Sequence, residues 1–390
     1  MRKDTVTIWG FVRPNGKVGF RNHILVIPSV ICAAETAMRI ANSVKGAVAI
    51  CNQHGCSQIG ADLKQTAKTL IGLGTNPNVA SVLIVGLGCE SLSVEDIASE
   101  IAKTGKWVEH ILIQGAGGTL KTKEKGIKIA KQMVQDTSKW KREKVDISSL
   151  TLAVECGGSD TTSGLASNPI AGCVADKLID LGGTVIISET TEIIGAEHLL
   201  AKRAVSSEVA NKLIEMIRRT EEKAKATGAE MLGGQPTLGN IKGGITTIEE
   251  KSLGAIYKGG TRPLQGILDY AEAPKGKGCY VMDTPGQDIE SITGMTAGGA
   301  QIVIFTTGRG TPTGSPIAPV IKVTANPHTF KMMKDNIDFN ASKVLEGAET
   351  IRNACERLFK EMKEVVNGKL TKAEVLEHRE FGIHKLTSTF

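Results

Sequence analysis

Along the first third of the chain, short continuous apolar runs alternate with longer stretches whose apolar positions recur at helical spacing. His23–Pro28, Ala47–Cys51, Ala80–Gly86 and Val108–Gln114 read as strands. Cys32–Val44, Gly60–Gly72, Ser93–Thr104 and Leu120–Val134 read as helices. Runs such as Val82-Leu83-Ile84-Val85 show no polar alternation, as expected of strands covered on both faces. Strands and helices taken in turn predict a parallel sheet with helices on both sides.

The polar, basic stretch Asp136–Asp146 reads as a linker. Beyond it come a strand at Leu150–Val154, a helix at Pro169–Leu181 and a strand at Thr184–Ser188. A long helix is expected over Val205–Ala226, a loop-heavy region over Gly233–Gly260, and strands at Cys279–Met282 and Ile302–Thr306 around a glycine-interrupted helix. Asn340–Val366 reads as helical, and the C-terminus as an amphipathic helix with a tail. The expected fold class is therefore α/β. A doubly wound, Rossmann-like parallel-sheet domain covers residues 1–137, and a larger α/β catalytic domain with C-terminal helices covers 138–390.

A chain of 390 residues is too long for one ordinary core, which fits two domains. Its 44 glycines sit mainly in loops between apolar runs and point to backbone-lined binding sites. The net charge of +6 is spread along the chain, and the densest basic run, Lys139–Lys144, is broken by Glu143. That run reads as a solvated linker and argues against a nucleic-acid partner. The N-terminus carries no apolar signal region and no run is long enough to span a bilayer, so a cytoplasmic protein with no membrane association is expected. The eight cysteines should then stay reduced, as core filler, ligands or reactive thiols. Cys32, Cys173, Cys279 and Cys355 lie in apolar contexts and read as packing.

Candidate chemistry collects at strand ends. In the first domain these loops carry His54-Gly55-Cys56, then Gly88-Cys89-Glu90, then Gly115-Ala116-Gly117. In a parallel sheet such loops share one edge, so His54, Cys56, Cys89 and Glu90 can converge. Gly86-Leu87-Gly88 lacks the third glycine and the later acid of a dinucleotide fingerprint. In the second domain Cys156-Gly157-Gly158-Ser159-Asp160-Thr161 holds a thiol, an acid and hydroxyls among glycines. Glu189, Glu192, Glu197 and His198 follow the next strand directly and form a candidate hard-metal site. Thr246 or Thr247 could cap a helix carrying Lys251, a proton-transfer base if buried and a plain surface lysine if not. Arg309, in Thr307-Gly308-Arg309-Gly310-Thr311, suits a substrate carboxylate. Arg13 and Arg21 are further anion-binding candidates, with a β-hairpin at Pro14–Lys17 as the structural alternative. Ser159, Thr161, Asn168, Thr307 and Arg21 are the expected substrate contacts.

Together Gly19-Phe20-Arg21-Asn22, His54-Gly55-Cys56, Gly86-Leu87-Gly88-Cys89, Cys156-Gly157-Gly158-Ser159-Asp160, Gly243-Gly244-Ile245-Thr246-Thr247, Asp283-Thr284-Pro285-Gly286 and Thr306–Pro312 resemble the altronate and galactarate dehydratases, a family of sugar-acid lyases. The resemblance implies a catalytic large subunit working with a separate small subunit, in an oligomer, on a small sugar acid. A sister branch, the large subunit of sulfolactate sulfo-lyase, is similar at Asp160–Gly164 and Gln235-Pro236-Thr237. The His-Gly-Cys and Gly-Cys-Glu loops favour the dehydratase branch. The implied reaction is a metal-dependent β-elimination to a 2-keto-3-deoxy acid, with sulfite elimination or non-catalytic sugar-acid binding as alternatives. A divalent ion would stabilise the enediolate, and a base, Lys251 or His54, would take the α-proton. Asp160, Glu189 and Glu192 are the expected metal ligands, Asp160 doubles as a catalytic candidate, and Arg309 anchors the carboxylate. The resemblance implies Fe²⁺. The alternative is an iron–sulfur cluster held by Cys56, Cys89 and Cys156.

Overall fold

A computed structural model describes residues 6–228 and 234–390. The first few residues, and Gly233 at the start of the expected loop region, lie outside them. Among the described residues fourteen strands run in chain order: β1 (Thr7–Val12), β2 (Val18–Gly19), β3 (His23–Pro28), β4 (Ala47–Ala49), β5 (Val79–Gly86), β6 (Trp107–Leu112), β7 (Glu143–Asp146), β8 (Thr151–Gly157), β9 (Thr184–Ile187), β10 (Leu264–Leu268), β11 (Gly278–Met282), β12 (Ile302–Thr307), β13 (Val320–Thr324) and β14 (Phe339–Asn340). They form two parallel sheets, ordered β4-β3-β5-β6 and β10-β11-β9-β8-β12-β13-β14, and a small antiparallel sheet β2-β1-β7. Apolar clusters cover both faces of each parallel sheet, which explains the uninterrupted apolar runs.

Each parallel sheet reverses direction once. β3 is followed by β4 on one side and β5 on the other, and β8 by β9 on one side and β12 on the other. The crevice at such a reversal, outside the carboxyl ends of the strands, is where open α/β sheets place ligands. Two buried amides bolt the sheets together. Asn76 Nδ2 donates to the carbonyls of Thr296 and Ala300, and Asn78 Nδ2 to those of Gln301 and Ile317. The strand pairs β1–β2 make the hairpin foreseen at Pro14–Lys17, and its Ile8, Val18 and Phe20 pack into the core of the large sheet.

Three expectations need correction. Asn340–Val366 is not one helix: Gly347, at φ +71°, separates Ser342–Leu345 from Ile351–Val366, which Thr350 caps afresh. The C-terminal helix is only Lys372–Val375. After it the chain turns at Glu377 (φ +59°) and runs extended across the first domain. There Gln65 Nε2 donates to the His384 carbonyl, the Leu386 amide to Asp62, and the Phe390 amide to the Ser57 carbonyl. Finally, Cys173 and Cys355 form a disulfide instead of staying reduced. Their helices, Asn168–Asp180 and Ile351–Val366, pack apolar face to apolar face and bring the two Cα atoms to 5.9 Å, within disulfide reach.

Arg21 is also corrected, from substrate ligand to structural tie. Its guanidinium is buried, pairs with Glu374 at 2.6 Å, and donates to the carbonyls of Phe20, Val365 and Lys369. Arg13 is likewise consumed by Pro77, Asn22 and the Arg21 carbonyl. Arg21→Ala should therefore lower unfolding stability by about 2 kcal/mol, as a part-buried charge pair loses one member. Its KM should stay at the wild-type value, whereas an anion-binding arginine would raise it.

Candidate active site

The carboxyl ends of β8 and β9 hold a buried cluster of acids around two lysines. β8 delivers Glu155 and Cys156, adjacent residues that point to opposite faces of the sheet. Beyond β9, Glu189 stands at φ +69°, a strained conformation for a residue with a Cβ, and begins the short turn Thr190–Glu192. Two hydrogen bonds hold this turn: the Glu189 amide donates to Thr284 Oγ1 at 2.8 Å, and Thr190 Oγ1 donates to Asp283 at 2.7 Å. The strain thus aims Glu189 and Glu192 inward together.

Lys258 sits at the centre. Its Nζ lies 2.5 Å from Glu189, 2.7 Å from Glu192 and 3.1 Å from Cys156 Sγ, with all four side chains buried. Burial alone would lower its pKa, but the Cys156, Glu189 and Glu192 side chains packed against it outweigh that and hold it well above the usual lysine value. Lys251 Nζ reaches Glu192 at 3.0 Å and also donates to Gln235. It too is raised, Glu192 and Glu189 overcoming the cost of burial. Glu192, although buried, is held well below the carboxylate range by Lys258 and Lys251. The Cys156 thiol donates to Glu192 at 2.7 Å and is pushed well up, by burial first and then by Glu192.

A second acid group lies on the other side of Glu189. Single oxygens of Glu155, Glu189 and Asp288 come within 4.8 Å of one another. Glu155 accepts from Ser188 and Ser291 at 2.7 and 2.8 Å through Oε2, while its Oε1 is buried with no partner among the described residues. Burial pushes Glu155 up to about 8 and Asp288 to about 6; Glu189 is raised well above normal by burial and by Glu155 and Glu192. Crowded acids of this kind need a proton or a cation among them. This all-oxygen set, with an orphaned carboxylate atom, matches the needs of a hard divalent ion. A further group among the described residues, Cys156, Glu189 and Glu192, already encloses the Lys258 ammonium.

Of the expected ligands, Glu189 and Glu192 are brought together and Asp160 is not. Asp160 accepts from Thr162 Oγ1 at 2.6 Å, the Ser163 amide at 3.2 Å and Asn326 Nδ2 at 2.9 Å, and packs so closely on Gly308 that no side chain fits there. It holds loops together. Nor are Cys56, Cys89 and Cys156 assembled: Cys156 is buried against Lys258, whereas Cys56 and Cys89 are exposed on the edge of the other sheet. His54 and Glu90 belong to that other edge. His54 Nε2 lies 3.2 Å from the Ile383 carbonyl, and Glu90 bridges the crevice by accepting from Ser29 Oγ at 2.6 Å.

Asn168 is occupied structurally, donating to the Gly254 carbonyl and accepting from Thr306. Thr307 Oγ1 accepts the Gly310 amide. Lys251, Ser159 and Thr161 line a cavity of about 310 Å³, and Ser159 Oγ is buried with no partner among the described residues. Arg309 is exposed at the β8–β12 crevice, its amide donating to the Gly158 carbonyl. Among the described residues its guanidinium has no ion pair. Sequence reasoning missed Glu155, Lys258 and Asp288. The one available signal was an acid inside the apolar run Leu152-Ala153-Val154-Glu155-Cys156.

Fold and cluster define an α/β enzyme whose centre sits at the carboxyl ends of β8 and β9, beside the switch point of a parallel sheet. The chain belongs to the D-galactarate/altronate dehydratase family. The family's C-terminal model matches residues 147–389 and its second-domain model residues 10–138. It is 40% identical to the (2R)-sulfolactate sulfo-lyase subunit beta of Chromohalobacter salexigens, over 97% of both chains. It is 33% identical to the altronate dehydratase of Bacillus subtilis, over 97% of this chain and 78% of that one. With the galactarate dehydratase (L-threo-forming) of Escherichia coli the identity is 33%, over 77% of this chain and 59% of that one. The motif set had implied this family. Among the described residues no helix is long and apolar enough to cross a membrane.

Proposed function

We propose that the chain catalyses elimination across C2 and C3 of a small 2-hydroxy acid, with water leaving from a sugar acid to give a 2-keto-3-deoxy acid. The observation that carries this reading is Lys251, an amine on the cavity wall whose Nζ lies 3.0 Å from buried Glu192. Elimination α to a carboxylate needs a base that meets substrate, a route for the proton, and relief for the developing enediolate charge. Lys251 is the proton carrier. At rest it is an ammonium leaning on Glu192. After that proton is released to bulk water through the cavity, the amine takes the C2 proton, and the ammonium it becomes gives a proton to the C3 hydroxyl, which departs as water. Lys258 stays charged beneath it and fixes both glutamates. Arg309 receives the substrate carboxylate, and Ser159 Oγ a hydroxyl. A divalent ion, Fe²⁺ by family resemblance, would be held by Glu155, Glu189 and Asp288 and would supply Lewis-acid stabilisation of the enediolate.

A second reading has sulfite as the leaving group, from 2-hydroxy-3-sulfopropanoate. The relative matched over 97% of both chains carries that name, and it is named a subunit, which supports assembly with a separate small polypeptide. Both readings share the C2 proton transfer. The test incubates the chain, with its small subunit and Fe²⁺ or Mn²⁺, on altronate, galactarate and sulfolactate. Formation of 2-keto acid without sulfite supports the first reading, and sulfite release the second. Lys251→Met should lower kcat by roughly 10²- to 10⁴-fold and abolish exchange of the C2 hydrogen with deuterium oxide. Wild-type kcat in that variant would overturn the assignment.

A further inference from the structure

A second cavity, of about 540 Å³, opens at the seam between the two parallel-sheet units. Helix Gly60–Thr75 of the first unit contributes Lys64 and Lys68, and helix Ser207–Ala226 of the second contributes Arg219 and Lys223. Each pair is spaced i,i+4, so each helix turns two cations to one side. The acids on the wall are Asp269 and Asp283. Asp283 is already taken, by Arg219 at 2.5 Å and by the Thr190 hydroxyl. Lys64, Lys68 and Lys223 have no ion pair among the described residues. Cations left uncompensated around a cavity favour an anion there.

This cavity adjoins the acid–lysine centre. Thr191 and Thr284 line it; Thr191 lies between the residues Glu189 and Glu192, and Thr284 Oγ1 accepts the Glu189 amide. Thr191 Oγ1 is itself buried with no hydrogen-bond partner among the described residues. It packs at Gly286, beside the Gln235 that receives the Lys251 proton donor. An unpaired hydroxyl thus stands where the cationic cavity meets the reacting centre.

We infer that this seam cavity binds a second negative group of the substrate, a carboxylate or sulfonate remote from the carboxylate at the reacting carbon, so that the natural substrate is a dianionic hydroxy acid and the first unit supplies part of its site. The inference rests on the elimination reading for its chemistry, but its binding test does not. Calorimetric titration of the full chain uses three unreactive probes: succinate, 3-sulfopropanoate and propanoate. Both dianions should bind about ten-fold or more tighter than propanoate, with an affinity that falls as salt rises. Lys64→Ala/Lys68→Ala and, separately, Lys223→Ala should shrink that preference to about three-fold or less while propanoate binding and the melting temperature hold. A sulfonate preferred over a dicarboxylate identifies the second charge as a sulfonate, and the reverse identifies a carboxylate. Equal binding of propanoate and the dianions, or an unchanged preference in both variants, overturns the inference. Dianion binding in this titration, together with no product from altronate, galactarate or sulfolactate in the turnover assay, would sink the elimination reading and leave this site standing.

Discussion

Lys258→Met is expected to cost about 3–5 kcal/mol of unfolding stability and to leave no measurable turnover. The reason is asymmetry. The ammonium is buried and simultaneously meets Glu189, Glu192 and Cys156, so its removal strands buried carboxylates. Methionine fills the same space, so packing is not the cause of the loss. The sharper measurement is a double-mutant cycle by chemical denaturation. Glu192→Gln added to Lys258→Met should recover part of the stability, because the stranded charge is gone, while activity stays lost. If Lys258→Met unfolds like the wild type, the ammonium does not hold the cluster together.

The second large effect is a pH dependence that a divalent ion should erase. Glu155 has a folded pKa of about 8 against an ordinary value of 4.5. Between those values the folded protein keeps a proton that the unfolded chain releases. Its stabilising contribution is therefore complete below about pH 4.5 and lost as pH climbs through 8, at most about 4–5 kcal/mol. Asp288, raised to about 6, acts in the same direction. Thermal melts in chelator should accordingly fall from about pH 5 to pH 8. A bound divalent ion replaces the proton, so metal should flatten this slope, release protons on binding and bind more tightly as pH rises. Glu155→Gln should flatten the slope without metal and weaken the metal effect. A slope of the same size in Glu155→Gln would place its source elsewhere.

The parallel sheets were readable because strands buried on both faces have no choice but continuous apolar sequence. The acid turn after β9 was readable because carboxylates directly after such a strand have no bland packing role. What stayed hidden depends on which strand ends face one another. Asp160 and Glu189 each follow a strand of the same sheet, yet Asp160 turns toward Asn326 and Glu189 toward Lys258. No spacing rule distinguishes those directions. Asp288 looks like any acid in a first helical turn, where a negative charge is ordinarily stabilised by the helix dipole. Arg21 looked like an anion ligand because glycine and asparagine surround it. Its actual partner, Glu374, lies 353 positions away. Lys258 was invisible for the opposite reason: alone between Tyr257 and Gly259, nothing local marks it as anything but exposed.

The extended C-terminal segment gives the chain a long wait during synthesis. His54 meets the Ile383 carbonyl 329 positions further on, and the loops around Ser57 and Asp62 are completed by residues later still. A first unit emerging from the ribosome has its sheet but not the strand of backbone that closes its edge. Until that segment is made, the edge stands with unanswered hydrogen-bonding groups at Ser57, Asp62 and Gln65. Contacts so distant in sequence form late and slowly, and the nascent chain is most open to aggregation while it waits.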